Sequence, residues 1–97
     1  MISDVEIFEQ EENVIVIDVT SDKEDDITIS LTRSDEDEDY YVDAYLSCIE
    51  DDKNDFDLDS FRKELIQWLD KLGIKYTIYN NNMFIDEENV NKLLESI

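Results

Sequence analysis

The sequence predicts an α+β fold in the order ββββ-α-ββ-α: an antiparallel four-stranded meander, a helix, a short β-hairpin and a C-terminal helix. Three observations carry this prediction. Apolar residues alternate with period two as far as Ile49, they recur at three and four from Leu58 onward, and the charge divides where the period changes. Residues 1–59 hold 22 of the 28 acidic side chains against Lys23, Arg33 and Lys53 alone, whereas residues 60–97 hold six acids and five bases. Crowding like charges into one half of a small domain opposes the compact state, so something other than folding favours it.

The elements follow in order. Val5 and Ile7 point one way and Asp4, Glu6 and Phe8 the other, as in a half-buried strand. After the polar stretch Glu9 to Asn13, Ile15, Ile17 and Val19 alternate with Val14, Val16 and Asp18; this strand starts apolar on both faces and belongs in the sheet interior. Ile27, Ile29 and Leu31 alternate with Thr28, Ser30 and Thr32, and Tyr40, Val42, Ala44, Leu46 and Cys48 with Tyr41, Asp43, Tyr45 and Ser47. Short polar links between these four runs favour hairpin connections and hence a meander.

In the second half Leu58, Phe61, Leu65, Trp68 (or Leu69) and Leu72 form one helical stripe, capped by Asp57 or Asp59 and stopped by Gly73. Ile74 to Tyr79 and Met83 to Ile85 read as a hairpin around Asn80-Asn81-Asn82, because asparagine tolerates the left-handed backbone such turns need. Asp86 caps a last helix with Val90, Leu93, Leu94 and Ile97 on one face, and Glu87 and Glu88 complement the dipole at its first turn.

Length and composition narrow the function. Ninety-seven residues make one domain, 1–97, and 41% hydrophobic content with no proline separates the chain from disordered acidic tails. No apolar run spans a bilayer, and Met1-Ile2-Ser3-Asp4 lacks the basic-then-apolar start of a signal peptide, so a cytoplasmic protein of a bacterial host cell is expected. With a single cysteine, Cys48, and no histidine, the usual zinc sets are excluded and Cys48 reads as a buried small hydrophobe. Asp55-Phe56-Asp57-Leu58-Asp59 resembles the opening of a calcium loop, but Ser60 and Ile66 stand where glycine and glutamate are needed. No metal or cofactor is expected. Without histidine, a phosphate-cradling glycine loop or a serine elbow, neither is enzymatic activity. Direct nucleic-acid binding is disfavoured, since phosphate contacts require lysine and arginine in excess.

What remains is the acids and two aromatics. Asp35, Glu36, Asp37, Glu38 and Asp39 form one link of the meander; Asp22, Glu24, Asp25 and Asp26 fill another; Glu50, Asp51 and Asp52, with Asp55, Asp57 and Asp59 beyond, fill the passage into the helix. In an up-and-down meander the second and third of these fall at one end of the sheet and the first at the other, with Asp18 and Asp43 between. Tyr41 and Tyr45 share the face of Asp43, opposite the expected core face, and suit either a binding surface or the edge of a second core. Each acidic run alone reads as a solvated connection; together they read as a partner-binding surface.

In composition the chain resembles small, strongly acidic α/β proteins of phages, mobile elements and bacteria that act as DNA mimics or as immunity proteins, and its Ile, Asn, Asp and Lys content resembles that of low-GC genomes. The resemblance implies an acidic inhibitor whose carboxylates stand in for phosphates and block the basic surface of a nucleic-acid-binding protein, a host defence nuclease such as a CRISPR effector or a restriction enzyme. The alternatives are an immunity protein against a cationic nuclease toxin and a non-inhibitory acidic structural or adaptor domain.

Overall fold

The structure, a computed structural model, describes residues 2–21, 26–46 and 58–97. Its elements are β1 (Ser3–Gln10), β2 (Val14–Thr20), β3 (Asp26–Thr32), β4 (Asp39–Leu46), α1 (Leu58–Leu72), β5 (Thr77–Tyr79), β6 (Asn82–Asp86) and α2 (Glu87–Ser96). The predicted order ββββ-α-ββ-α is therefore the observed one. The hairpin, however, does not stand apart from the meander. β6 pairs antiparallel with β4, Tyr40 opposite Ile85 and Val42 opposite Met83, so all six strands join one sheet in the order β1-β2-β3-β4-β6-β5.

One face of that sheet is the core. Ile15, Ile17 and Val19 of β2, Ile27, Ile29 and Leu31 of β3, Tyr40, Val42 and Ala44 of β4, and Met83 and Ile85 of β6 are all buried on it. Phe61, Leu65 and Leu69 of α1 and Val90 and Leu93 of α2 belong to the same cluster, which places both helices over this face. Each fully buried aliphatic side chain contributes on the order of 1.5–3 kcal/mol, so this single layer is the main stabilising term.

Local chemistry fixes where the elements stop. Gly73 leaves α1 with φ 75°, its N–H donating to the Asp70 carbonyl at 3.2 Å and the Ile74 N–H to the Leu69 carbonyl at 2.9 Å, which closes the helix end in a Schellman arrangement. Ile74 is thereby tucked into the core, and the following strand starts only at Thr77 rather than at Ile74 as the alternation suggests. The hairpin turn is the pair Asn80 and Asn81, at φ 49° and 66°, with Asn82 already the first residue of β6. Two consecutive left-handed residues match the twist of a two-residue hairpin. Asp86 caps α2, accepting the Asn89 N–H at 2.8 Å and the Asn89 side-chain amide at 2.8 Å. These hydrogen bonds hold its carboxyl below the ordinary aspartate value. Asn89, itself buried, accepts the Lys75 N–H at 2.9 Å and so ties the α1–β5 link to the start of α2.

Other expectations are narrowed or corrected. On α1, Leu69 takes the central buried place and Trp68 the half-buried flank. Asp59 lies inside the first turn of α1, not at its cap. Ile97 sits beyond the last turn of α2 and is 39% exposed rather than part of its apolar face. Simple alternation fails in β1, where the register against β2 slips between Ser3 and Glu6 and again between Ile7 and Glu9. The bulges leave Asp4 at φ 48° and Phe8 75% exposed. Cys48 and the Asp55 to Asp57 part of the calcium-like run lie outside the described residues.

Two outcomes are expected. Gly73→Ala lowers stability in chemical denaturation by about 1–2 kcal/mol, all of it conformational, because a Cβ added there meets nothing within 4 Å. A net charge of −20 also repels itself, so the thermal midpoint rises as sodium chloride is increased from about 0.01 M, where the screening length is near 30 Å, to about 1 M, where it is near 3 Å. A midpoint that stays flat or falls would show that the charge is not a folding cost.

Candidate acidic binding surface

The six strands carry eight acids and no lysine or arginine. Among the described residues, every base except Arg33 is on α1, on α2 or in the link between α1 and β5. The sheet is thus chemically one-signed. Among the described residues nothing lies over its second face, which exposes Tyr41 by 38% and Tyr45 by 48%. Both tyrosines are therefore exposed side chains, and neither helix covers them.

The register gives the layout of this open face. Glu6, Asp18, Thr28 and Tyr45 lie across from one another on β1 to β4; Glu9, Val16, Ser30 and Asp43 form the next row; Val14, Thr32, Tyr41, Phe84 and Thr77 form the row after that. Thr20 and Asp26 are paired at one end of the sheet, and Asp39 and Asp86 at the other. Rows of this kind are about 6.8 Å apart and neighbours within a row about 4.8 Å. Acids therefore occupy every row but the aromatic one, which lies between the Glu9–Asp43 row and the Asp39–Asp86 end. Glu6 directly opposite Asp18 sets two carboxylates together at a cost of roughly 0.2–1 kcal/mol. Hydrogen bonds steady the carboxylates of the face: Thr28 Oγ1 donates to Asp18 at 3.1 Å and the Ala44 N–H to Asp43 at 2.9 Å.

At one end, Asp4, Glu6, Asp18 and Asp26 surround a shallow depression floored by Val19 and Thr20. At the other, the loop 33–38 is organised around Arg33. Its N–H donates to the Asn13 carbonyl at 3.0 Å and its Nε to Asn13 Oδ1 at 3.1 Å, while its guanidinium lies 4.5 Å from the Tyr40 ring centroid and 3.6 Å from Glu87 Oε2. The Asn13 amide in turn donates to Asp35, Ser34 Oγ to Asp37 at 2.6 Å, and the Glu87 N–H to the Glu38 carbonyl at 3.1 Å. Tyr40 donates its hydroxyl to the Glu12 carbonyl at 2.7 Å. Burial raises its phenol above the ordinary value, the nearby Arg33 charge opposes this, and Glu87 and Glu12 add to it.

Of the residues expected at the site, Asp26, Asp35, Glu36, Asp37, Glu38, Asp39, Tyr41, Asp43 and Tyr45 are placed, and all are exposed. Asp22, Glu24, Asp25, Glu50, Asp51 and Asp52 lie outside the described residues. The fold adds acids that sequence reasoning assigned to other roles. Glu87 comes beside the 35–39 loop because β6 pairs with β4 and delivers the start of α2 to that end. Glu6 and Glu9 join the face through the register of β1, and Phe84 meets Tyr41 edge-on, with ring centroids 5.8 Å apart. Only the β4–β6 pairing places Phe84 there, and the alternation of β6 alone gives no sign of it.

Among the described residues, no group of three or more acidic or cysteine side chains is arranged to hold a metal ion, and no helix is long and apolar enough to cross a membrane. The chain matches no protein-family model, no curated protein and no solved structure.

Proposed function

We propose that this protein is a non-enzymatic, acidic inhibitor whose carboxylates take the place of nucleic-acid phosphates and occupy the basic cleft of a nucleic-acid-binding protein, such as a host defence nuclease. The observation that carries the reading is the one-signed open face: eight strand acids, no strand base, and a like-charge pair set directly across two strands. A surface selected for stability would not place Glu6 opposite Asp18. The charge density supports the same reading. Twenty net charges over a longest dimension of 39 Å amount to about one per 2 Å, close to the roughly one per 1.7 Å of duplex DNA. Low-dielectric strand backbone beneath fixed carboxylates also favours fast, long-range capture of a cationic partner.

Affinity capture from a lysate of the cell that encodes the chain, in parallel with and without added duplex DNA or RNA, tests the reading. It expects a retained basic nucleic-acid-binding protein that is displaced by nucleic acid and released as salt rises. A partner indifferent to both would sink it. With that partner in hand, replacing Asp35, Glu36, Asp37, Glu38 and Asp39 by Asn and Gln lowers the association rate constant by on the order of tenfold or more, measured by stopped flow, with no loss of thermal stability. Glu6→Gln raises folding stability by about 0.2–1 kcal/mol in denaturant titrations, because it relieves the repulsion across β1 and β2.

A further inference from the structure

We infer that the groove between the 37–39 segment and the β5–β6 hairpin seats an arginine side chain of the basic partner, so that the acidic surface contains an arginine-selective anchor. This rests on the reading of that surface as a phosphate mimic and adds to it a point of specificity that charge alone does not supply. The groove holds about 400 Å³ and is lined by Asp37, Glu38, Asp39, Thr77, Tyr79 and Phe84. Carboxylates come from the loop and the first residue of β4, and rings from β6 and β5, so two kinds of chemistry meet in one recess.

That pairing fits a guanidinium better than an ammonium. Arginine is planar, presents its donors as a fork that matches carboxylate oxygens, and stacks on aromatic faces; lysine is a compact, strongly hydrated point charge. Tyr79 is 69% exposed on the edge strand, so its ring is open to stacking. Phe84 is held edge-on by Tyr41 and offers a fixed neighbour. Among the described residues no lysine or arginine forms an ion pair with Asp37, Glu38 or Asp39. The same chemistry is already satisfied internally a few residues away, where Arg33 lies over the Tyr40 ring and beside the Glu87 carboxylate. The groove offers rings and carboxylates of the same kinds with the cation left to come from outside.

The test uses two capped peptides of equal charge, hexa-arginine and hexa-lysine, titrated into the full chain at fixed salt and followed by calorimetry and by amide shifts. Hexa-arginine is expected to bind about 2–5-fold more tightly, the equivalent of a cation–π contact at an exposed site, with the largest shifts at Asp37, Glu38, Asp39, Thr77, Tyr79 and Phe84. Tyr79→Ala removes the preference and leaves hexa-lysine affinity unchanged, Tyr79→Phe retains it, and Phe84→Leu weakens it with a side chain that still fills the half-buried place. Equal affinities for the two peptides, or a preference that survives Tyr79→Ala, overturn the inference. Neither result touches the phosphate-mimic reading, which stands or falls on displacement by nucleic acid; a captured partner insensitive to nucleic acid removes that reading even where an arginine preference is measured.

Discussion

Every other feature of this molecule depends on the burial of one sheet face, and of one only. The buried apolar side chains form a single layer between the strands and the two helices: the core runs from Ile15 and Ile17 through Leu31 and Val42 to Leu69 and Leu93 without a second cluster among the described residues. Among the described residues both helices lie on that side of the sheet, and alternation within each strand decides what the other side presents. In β2 and β3 the outward positions are Val, Asp, Thr and Ser; in β4 they are Asp and Tyr. The acidic surface is the necessary reverse of the core, carried by the same strands and fixed by the same register.

Crowding carboxylates at the loop end requires a local counterweight, and Arg33 supplies it. Its charge sits mostly withdrawn from solvent, its side chain 10% exposed, between the Tyr40 ring, Asn13 and Glu87. A single cation thus steadies three chain segments, the β1–β2 turn, the β3–β4 loop and the start of α2, while their acids project outward. Removing one partner from a withdrawn charge is more disruptive than the net worth of the pair, since the remaining group has lost its water. The arrangement neutralises what must be inside and leaves the rest of the negative charge displayed.

Much of the fold was legible because local signals agreed. Period two in residues 14–32, the Asp86 cap, the asparagine turn and Gly73 each specify backbone geometry through chemistry confined to a few neighbours, and each element stands where its residues put it. What sequence could not supply was the pairing of β6 with β4, which sets Val42 opposite Met83 and Asp39 opposite Asp86 across the whole intervening helix. No side-chain pattern in Met83 to Ile85 distinguishes a free hairpin from the fifth strand of a larger sheet. The candidate site shares that limit. The 35–39 loop was visible as a charge run, whereas its union with Glu87 and the aromatic row of Tyr41 and Phe84 follows only from the long-range pairing. The bulges of β1 were hidden for a different reason: alternation looks unbroken in Val5, Ile7 and their neighbours, and only the register against β2 reveals the slips.

Those slips also decide how the edges of the sheet meet other copies of the chain. Every open sheet has two edges able to recruit a strand from another copy, and here one is bent by bulges at Asp4 and Phe8 and bordered by Glu6 and Glu9, while the other is the three-residue β5. Bent, charged or very short edges are poor templates for pairing. Molecules that approach edge to edge also meet like charge before they meet a hydrogen-bonding partner. The register that sets acids across the strands thus also makes both edges of the sheet poor places for a second copy to add a strand.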